Sequence, residues 1–88
     1  MPSYLVETYL ARGHAEERAA REQRARSAAG ELTQAGSRVR FDGIIDVPED
    51  EICFFVFGAP SSEVAELVAQ LAALDPVRVV EAVTSREE

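Results

Sequence analysis

An uninterrupted apolar run at residues 52–57, Ile-Cys-Phe-Phe-Val-Phe, is the feature that most restricts the fold of this 88-residue chain. Its aromatic and β-branched residues favour a strand, and the Gly58-Ala59-Pro60 sequence that follows ends it. A strand with one face in water alternates apolar and polar residues, whereas this run offers no polar face. We therefore expect one side to pack on helices of the same domain, and the other to meet a partner subunit, a ligand cavity, or both.

Three more strands and two helices are predicted around this run. Alternating patterns place the strands at residues 3–10, 38–47 and 77–84. The helices are expected at residues 14–32 and from an N-cap at Ser61 to the Asp75-Pro76 stop. The order β-α-β-β-α-β is typical of a ferredoxin-like α+β fold, which has a four-stranded antiparallel sheet with both helices on one face.

Two elements carry more detailed predictions about which side chains share a face. In the strand at residues 38–47, strict alternation places Phe41, Gly43 and Ile45 on one face. In the second helix, helical spacing gathers the larger apolar side chains on one stripe, which consists of Val64, Leu67, Val68, Leu71 and Leu74. Residues 1–84 are expected to form a single domain, and residues 85–88 a polar C-terminal tail.

A sheet with both helices on one face has a second face that the chain itself does not cover. Such a face is normally polar, but the run at residues 52–57 is apolar throughout. The first and last strands each contribute a single acid, Glu7 and Glu81. Two copies packed sheet to sheet would bury this face and form a homodimer with two-fold symmetry. A curled pair of sheets also leaves a cavity in which a small ligand would fit.

The composition narrows the choice of partners. A net charge of −7 and a pI near 4.6 argue against nucleic acid or an anionic membrane as the main partner. A single Cys excludes an internal disulfide. No apolar run approaches the roughly 20 residues of a membrane span, and no secretory signal pattern is expected at the N-terminus. We therefore expect a cytoplasmic protein whose partner is a second copy of itself.

Glu7 and Glu81 are the polar residues that point most directly to a site. Each is the only acid on an otherwise apolar strand face, and the first and last strands are neighbours in this fold. If both face the uncovered side, burial raises their pKa values and suits them to act as base, ligand or proton-sharing pair. Tyr9 would add a hydrogen bond to a ligand. The alternative is that each acid faces solvent at a strand end or pairs with Arg40 or Arg78.

His14 and Cys53 are the remaining candidates. His14 lies at the start of the first helix beside Glu16 and Glu17, and it is either an ordinary surface residue or part of a weak metal site that a second copy completes. Cys53 is expected to be a small core side chain. The chain has no His-x-x-x-His, Cys-x-x-Cys or Glu-x-x-His spacing, no Gly-rich phosphate loop and no Ser-His-Asp order. Nucleotide binding and triad hydrolysis are therefore not predicted.

Three segments carry a resemblance to a known family. They are Met1-Pro2-Ser3-Tyr4-Leu5-Val6-Glu7, Phe55-Val56-Phe57-Gly58-Ala59-Pro60 and Arg78-Val79-Val80-Glu81-Ala82-Val83. These segments look like a bacterial family of small ferredoxin-like proteins of poorly defined function, one member of which binds nickel, within the broader group of dimeric α/β-barrel proteins. The resemblance implies a homodimer with nickel as its metal. The residues of this chain that we expect to ligate the metal, from their own chemistry, are His14 and Glu7. Members of that family carry a His within the second helix, where this chain has Glu-Leu-Val-Ala-Gln at residues 66–70.

Three functions are compatible with these features. The first is a non-enzymatic homodimer that captures a metal ion or small ligand at the sheet cavity, with Glu7, Tyr9, Glu81 and His14 around it. The second is an enzyme of the dimeric α/β-barrel type, such as a cofactor-free monooxygenase or cyclase that uses a carboxylate or Tyr as acid/base. The third is a structural or interaction module without a ligand. The first is our prediction from the sequence.

Overall fold

The computed structural model describes residues 1–83, which form four strands, two helices and one short 3-10 turn. In chain order these are β1 (Ser3–Tyr9), α1 (Ala15–Gln34), β2 (Arg40–Val47), the 3-10 turn (Pro48–Asp50), β3 (Ile52–Gly58), α2 (Ser62–Leu71) and β4 (Arg78–Ala82). The strands form one antiparallel sheet in the order β2-β3-β1-β4. The predicted ferredoxin-like α+β fold is confirmed. Thr84 and the predicted tail at residues 85–88 lie outside the described residues.

The core lies between the helices and one face of the sheet. The sheet contributes side chains with no exposed surface, among them Val6, Phe55 and Phe57. The helices face them with small residues, which are Ala25, Ala28 and Ala29 of α1 and Val68 and Ala69 of α2. Small side chains let the helices lie close to the sheet, so the large phenylalanines fill the space between the layers. Because β3 lies between β1 and β2, the apolar run of the sequence occupies the interior of the sheet.

The strict alternation expected in the second strand is wrong at one point. The pairing of β2 with β3 shifts register between Phe41 and Gly43, so Asp42 is the extra residue of a β-bulge. Phe41 therefore lies opposite the buried Phe57 on the helix side, whereas Gly43 lies opposite Val56 on the other side. Gly43 has a φ of 137°, which side chains with a Cβ rarely adopt. A Gly inside a strand pattern is the sequence signal of such a bulge.

The stripe expected on the second helix is also only partly correct. Val68 is fully buried, but Leu67 and Leu71 are each 47% exposed, and α2 turns Ala65 and Ala69 to the core instead. The start of α2 is as predicted, since the Val64 N–H donates to the Ser61 hydroxyl at 3.3 Å. None of the described helices is long and apolar enough to cross a membrane.

The end of α2 differs from the sequence prediction because the chain turns before Asp75. The Leu74 N–H donates to the Ala69 carbonyl and the Ala73 N–H to the Gln70 carbonyl, both at 3.0 Å. These two bonds define a Schellman turn, in which the residue at the Ala73 position takes a left-handed conformation. Ala73 has a φ of 54°, although Gly is the residue that adopts this conformation without cost. The α2 turn therefore stores a small backbone strain.

Replacing Ala73 with Gly is expected to stabilise the protein. Removing the Cβ relieves the left-handed conformation, which costs about 1–2 kcal/mol, and the gain is reduced by the larger entropy of Gly in the unfolded chain. We expect Ala73→Gly to raise the free energy of unfolding in urea by up to about 1 kcal/mol. Gly36, at φ 102° in the matching turn of α1, provides the reverse control, since Gly36→Ala should be destabilising. A destabilising effect of Ala73→Gly would contradict this interpretation.

Candidate functional site

The sheet face opposite the helices, which we call the open face, is covered mainly by apolar side chains. Its members follow from the strand registers: Leu5 and Tyr9 of β1; Ile45 and Val47 of β2; Ile52, Phe54 and Val56 of β3; Val80 and Ala82 of β4. Tyr9 is 59% exposed and Ile45 is 51% exposed, while most of the others are half-buried by their neighbours. A continuous apolar surface that crosses all four described strands is the strongest candidate for an interaction site.

Two cross-strand rows define the middle of the open face. In one row Gly43, Val56, Leu5 and Val80 lie side by side from β2 to β4. In the next row the order is Ile45, Phe54, Glu7 and Arg78. Val56 of the first row and Phe54 of the second are two residues apart on β3 and share a face, so the apolar surface of the first row continues into the second. The charged end of the second row is the only interruption in these two rows.

Glu7 and Arg78 form an ion pair at that end. The Arg78 Nε–H donates to Glu7 Oε1 at 2.7 Å. The Glu7 side chain is only 15% exposed, whereas Arg78 is 65% exposed, so the guanidinium lies over the carboxylate and faces outward. Glu7 therefore lies on the uncovered side, as one interpretation of the sequence predicted, and pairs with Arg78, as the other predicted.

The second charged pair near the open face is Arg40 with Asp42. Arg40 donates two hydrogen bonds to the Asp42 carboxylate, and its guanidinium extends over Gly58. Each of these two pairs sums to zero charge, in a chain whose net charge is −7. The open face is therefore close to electrically neutral, and the excess negative charge lies on other surfaces.

Glu81 does not join Glu7. The register places Glu81 opposite Tyr4, which is buried on the helix side of the sheet, whereas Glu7 belongs to the open face. The expectation that both acids meet on the uncovered side is therefore wrong, because residues 78 and 81 of β4 alternate to opposite faces. Glu81 is exposed, and burial together with the charges of Glu81 and Glu63 raises the pKa of Tyr4 above its ordinary value.

Tyr9 does lie on the same face as Glu7, two residues further along β1 and opposite Ile52. The partner that sequence reasoning did not treat as a site residue is Arg78, which was named only as an alternative ion-pair partner. Alternation along β4 was sufficient to separate Arg78 from Glu81. The pairing register between β1 and β4, which decides that Arg78 meets Glu7, is set by packing and is not visible in the sequence.

His14 lies apart from this face, at the N-terminus of α1. It is exposed, as expected for a surface residue, and its side chain makes no capping hydrogen bond. With Glu16 and Glu17 it lines an open depression of about 510 Å³. Glu17 is engaged by Arg21 at 2.9 Å, and that hydrogen bond holds the pKa of Glu17 below its ordinary value.

The metal-ligating side chains within residues 1–83 do not gather at one point. Across residues 1–83, no group of three or more His, Cys, Asp or Glu side chains is placed to hold a metal ion. Of the two residues expected to ligate nickel, Glu7 is already bonded to Arg78, whereas His14 is exposed at the N-terminus of α1. A metal site built from residues 1–83 would have to draw donors from two copies.

Arg78 also borders a groove of about 580 Å³ between the end of α2 and the start of β4. Its polar lining includes Glu66, Gln70 and Asp75, and Val77 and Val79 add apolar surface. Two carboxylates against one guanidinium leave this groove negative, which favours a neutral or cationic ligand over an anionic one. The groove meets the open face at Arg78.

Cys53 is a core residue, as predicted. Its side chain has no exposed surface, and its carbonyl accepts a 2.8 Å hydrogen bond from the buried Thr8 hydroxyl. Burial, assisted by the charge of Asp46, raises the pKa of the Cys53 thiol from 9.0 to about 11. The thiol is therefore neutral near pH 7, which removes it from consideration as a nucleophile.

The raised pKa of Cys53 predicts a pH dependence of stability. The folded state holds the neutral thiol, so its contribution is complete below pH 9 and is lost as the pH rises towards about 11. We expect the free energy of unfolding to fall by about 2 kcal/mol over this interval beyond the change seen in Cys53→Ala. Urea unfolding of both proteins at a series of pH values measures the difference, and parallel pH profiles would contradict the prediction.

Comparison with known proteins adds no relative, because no family model, no curated protein and no solved structure matches this chain. The fold is therefore established by the architecture of residues 1–83 alone. The resemblance to small ferredoxin-like proteins with a nickel-binding member stays a prediction from the sequence.

Proposed function

We propose that this protein is a non-enzymatic homodimeric binding domain. Two copies pack through their open faces, and a small ligand lies between the sheets near Glu7 and Tyr9. The observation that carries the proposal is the apolar surface that runs from Ile45 across Phe54 and Val56 to Val80. An exposed apolar surface of this extent marks an interaction site, and burying it against a copy of itself is the simplest closed arrangement.

The size of the open face suits a dimer. Four strands spaced about 4.8 Å apart and about seven residues long at roughly 3.3 Å per residue cover about 450 Å² of flat area. Two such faces remove about 900 Å² from water before side-chain relief is counted, which is close to the roughly 1,000 Å² of a small specific interface. Association would also stabilise a domain whose own core is small.

The charge distribution favours a second copy on this face. Two chains of net charge −7 repel each other, and the repulsion is smallest where neutral surfaces meet. The open face satisfies this condition because Glu7 pairs with Arg78 and Arg40 with Asp42. A different macromolecular partner need not carry the same negative charge, so it would not require a neutral contact surface on this acidic protein.

The ligand in this proposal is a small neutral or cationic molecule. Glu7 and Tyr9 supply the polar groups on the open face, and the adjoining groove at Arg78 carries the negative charge of Glu66 and Asp75. A metal ion would need donors from both copies, with His14 among them, and this form of the expectation stays a prediction. A cytoplasmic location, where the thiol of Cys53 stays reduced, belongs to the same proposal.

Native mass spectrometry of the purified protein tests the ligand half of the proposal. The expected result is a dimer that retains a small molecule, with lower occupancy in Tyr9→Phe, which removes the phenol hydroxyl and leaves the apolar surface intact. A calorimetric titration with nickel, with His14→Ala as the control, separates the two forms of the proposal, because a small-molecule ligand predicts no heat and a metal ion predicts heat that depends on His14. Micromolar nickel binding that is lost in His14→Ala would show that the ligand is a metal ion and not a small molecule. A dimer that binds neither would contradict both forms of the ligand proposal.

A further inference from the structure

We infer that the groove between the end of α2 and the start of β4 binds a small organic cation, which is an amine or guanidine on an apolar body. The inference rests on the proposed function of a binding domain and names the chemical class of a ligand. It does not require the homodimer, because the groove is formed within one chain. At about 580 Å³ the groove has the volume of a small-molecule site.

The carboxylates around the groove outnumber its cations. Glu66 of α2 and Asp75 of the following loop line it, and none of the ion pairs among residues 1–83 involves either of them. Arg78 is the only cation among the described residues of the lining, and it already donates to Glu7. If Arg78 turns to the groove, Glu7 loses its partner, so one guanidinium serves three carboxylates in either arrangement. The groove therefore keeps unbalanced negative charge, which attracts a ligand cation.

The end of α2 adds to this negative charge. The carbonyl end of a helix carries a partial negative charge, and the last turn of α2 contains no basic residue to offset it. Arg24 of α1 donates to the Ala72 carbonyl at 2.8 Å, but it is not among the described residues that line the groove. A cation in the groove is therefore favoured by the helix end as well as by the two carboxylates.

The remaining lining favours an organic cation over a metal ion. Val77 is 66% exposed, and together with Pro76 and Val79 it gives the groove an apolar wall. Such a wall covers the carbon skeleton of a ligand but offers no oxygen donor to a hard metal ion. Within residues 1–83, no three His, Cys, Asp or Glu side chains are placed to hold a metal. Two carboxylates beside an apolar wall match an ammonium or guanidinium group on a hydrocarbon body.

The backbone at Asp75 provides a substitution that removes charge without changing conformation. Asp75 has a φ of 52°, in the left-handed region, two residues after Ala73 at a φ of 54°. Apart from Gly, Asp and Asn are the residues that adopt this conformation most readily. Asp75→Asn therefore removes the carboxylate charge and retains the turn.

Nuclear magnetic resonance titrations with three probes that share one aromatic ring test the charge preference. We expect benzylamine to shift the amide signals of residues 66–79, with a Kd of about 1 mM. Benzyl alcohol has the same ring without the charge and should bind about fivefold more weakly. Benzoate should cause no shift. Equal affinities for benzylamine and benzyl alcohol would overturn the inference.

Four conservative variants at exposed positions locate the bound cation. Asp75→Asn and Glu66→Gln should each weaken benzylamine binding about threefold and leave benzyl alcohol binding unchanged. Arg78→Gln should strengthen benzylamine binding about threefold, because it removes the competing cation. The matched control is Glu16→Gln, at the N-terminal end of α1, which should leave the affinities for both probes unchanged.

Two outcomes separate the groove from the rest of the proposal. Benzylamine shifts that persist in Asp75→Asn and Glu66→Gln, or that weaken equally in Glu16→Gln, would show general attraction to an acidic surface and overturn the inference. Charge-dependent benzylamine binding to a protein that sediments as a monomer would support the groove site and contradict the proposed homodimer.

Discussion

Val56→Asp is expected to convert the proposed homodimer into a folded monomer. Val56 lies in the middle of the open face, between Leu5 and Gly43 in neighbouring strands. In a single chain the new carboxylate reaches water, because this position is only half-buried. In a dimer it would be buried against apolar side chains, and we expect the dissociation constant to rise at least about 100-fold, or about 3 kcal/mol.

Sedimentation velocity and circular dichroism of Val56→Asp measure the two parts of this expectation. Leu67→Asp is the matched control, because Leu67 is an exposed apolar residue of α2 on the opposite side of the molecule. The control should stay dimeric with unchanged affinity. A Val56→Asp protein that sediments as the native dimer would show that the open face is not the interface.

Phe55→Ala is expected to cost about 3–5 kcal/mol of unfolding free energy, because it leaves a cavity in the core. Phe55 has no exposed surface and packs among the buried residues of β1, α1 and α2. Small domains have a total stability of about 5–15 kcal/mol, so this change brings the protein close to unfolding. Urea unfolding followed by circular dichroism gives the difference directly.

Phe54→Ala is the matched control for this prediction. Phe54 is the preceding residue of the same strand, but it belongs to the open face and is half-buried. Its truncation should affect the association of two copies more than the folding of one. The loss of stability in Phe54→Ala should therefore grow with protein concentration, whereas the loss in Phe55→Ala should not. Equal losses that are independent of concentration would mean that both phenylalanines belong to one chain's core.

The overall fold was predictable from local patterns. The run at residues 52–57 has no polar face, and the structure places it in the interior of the sheet, where it meets helices on one side. The Ser61 cap marked the start of α2, and a single side-chain oxygen was sufficient to define it. Strong local signals such as these agree with the global fold and are therefore reliable.

The errors arose where tertiary packing or backbone geometry overrides periodicity. The bulge at Asp42 inserts one residue and moves Phe41 to the helix side, which an uninterrupted period of two cannot express. On α2 the small residues Ala65 and Ala69 face the sheet because they permit close approach, and Leu67 is left exposed although its hydrophobicity favours burial. Composition alone does not show whether a helix packs through small residues that allow close approach or through large apolar residues.

The candidate site was predictable as a face but not as a set of partners. Alternation along β1 correctly joined Glu7 with Tyr9, since both residues lie on one strand. The pairing of Glu7 across strands depends on how β1 and β4 are aligned, and that alignment selected Arg78 instead of Glu81. Contacts between residues about 70 positions apart are set by the assembled sheet and leave no local trace in the sequence.

Sedimentation equilibrium of the native protein over a range of concentrations is the most direct test of the proposed homodimer. A species of roughly twice the 9.6 kDa chain mass is expected, with an association that Val56→Asp abolishes and Leu67→Asp preserves. A mass of one chain at every concentration would contradict the homodimer, and with it the assignment of the open face as the ligand site.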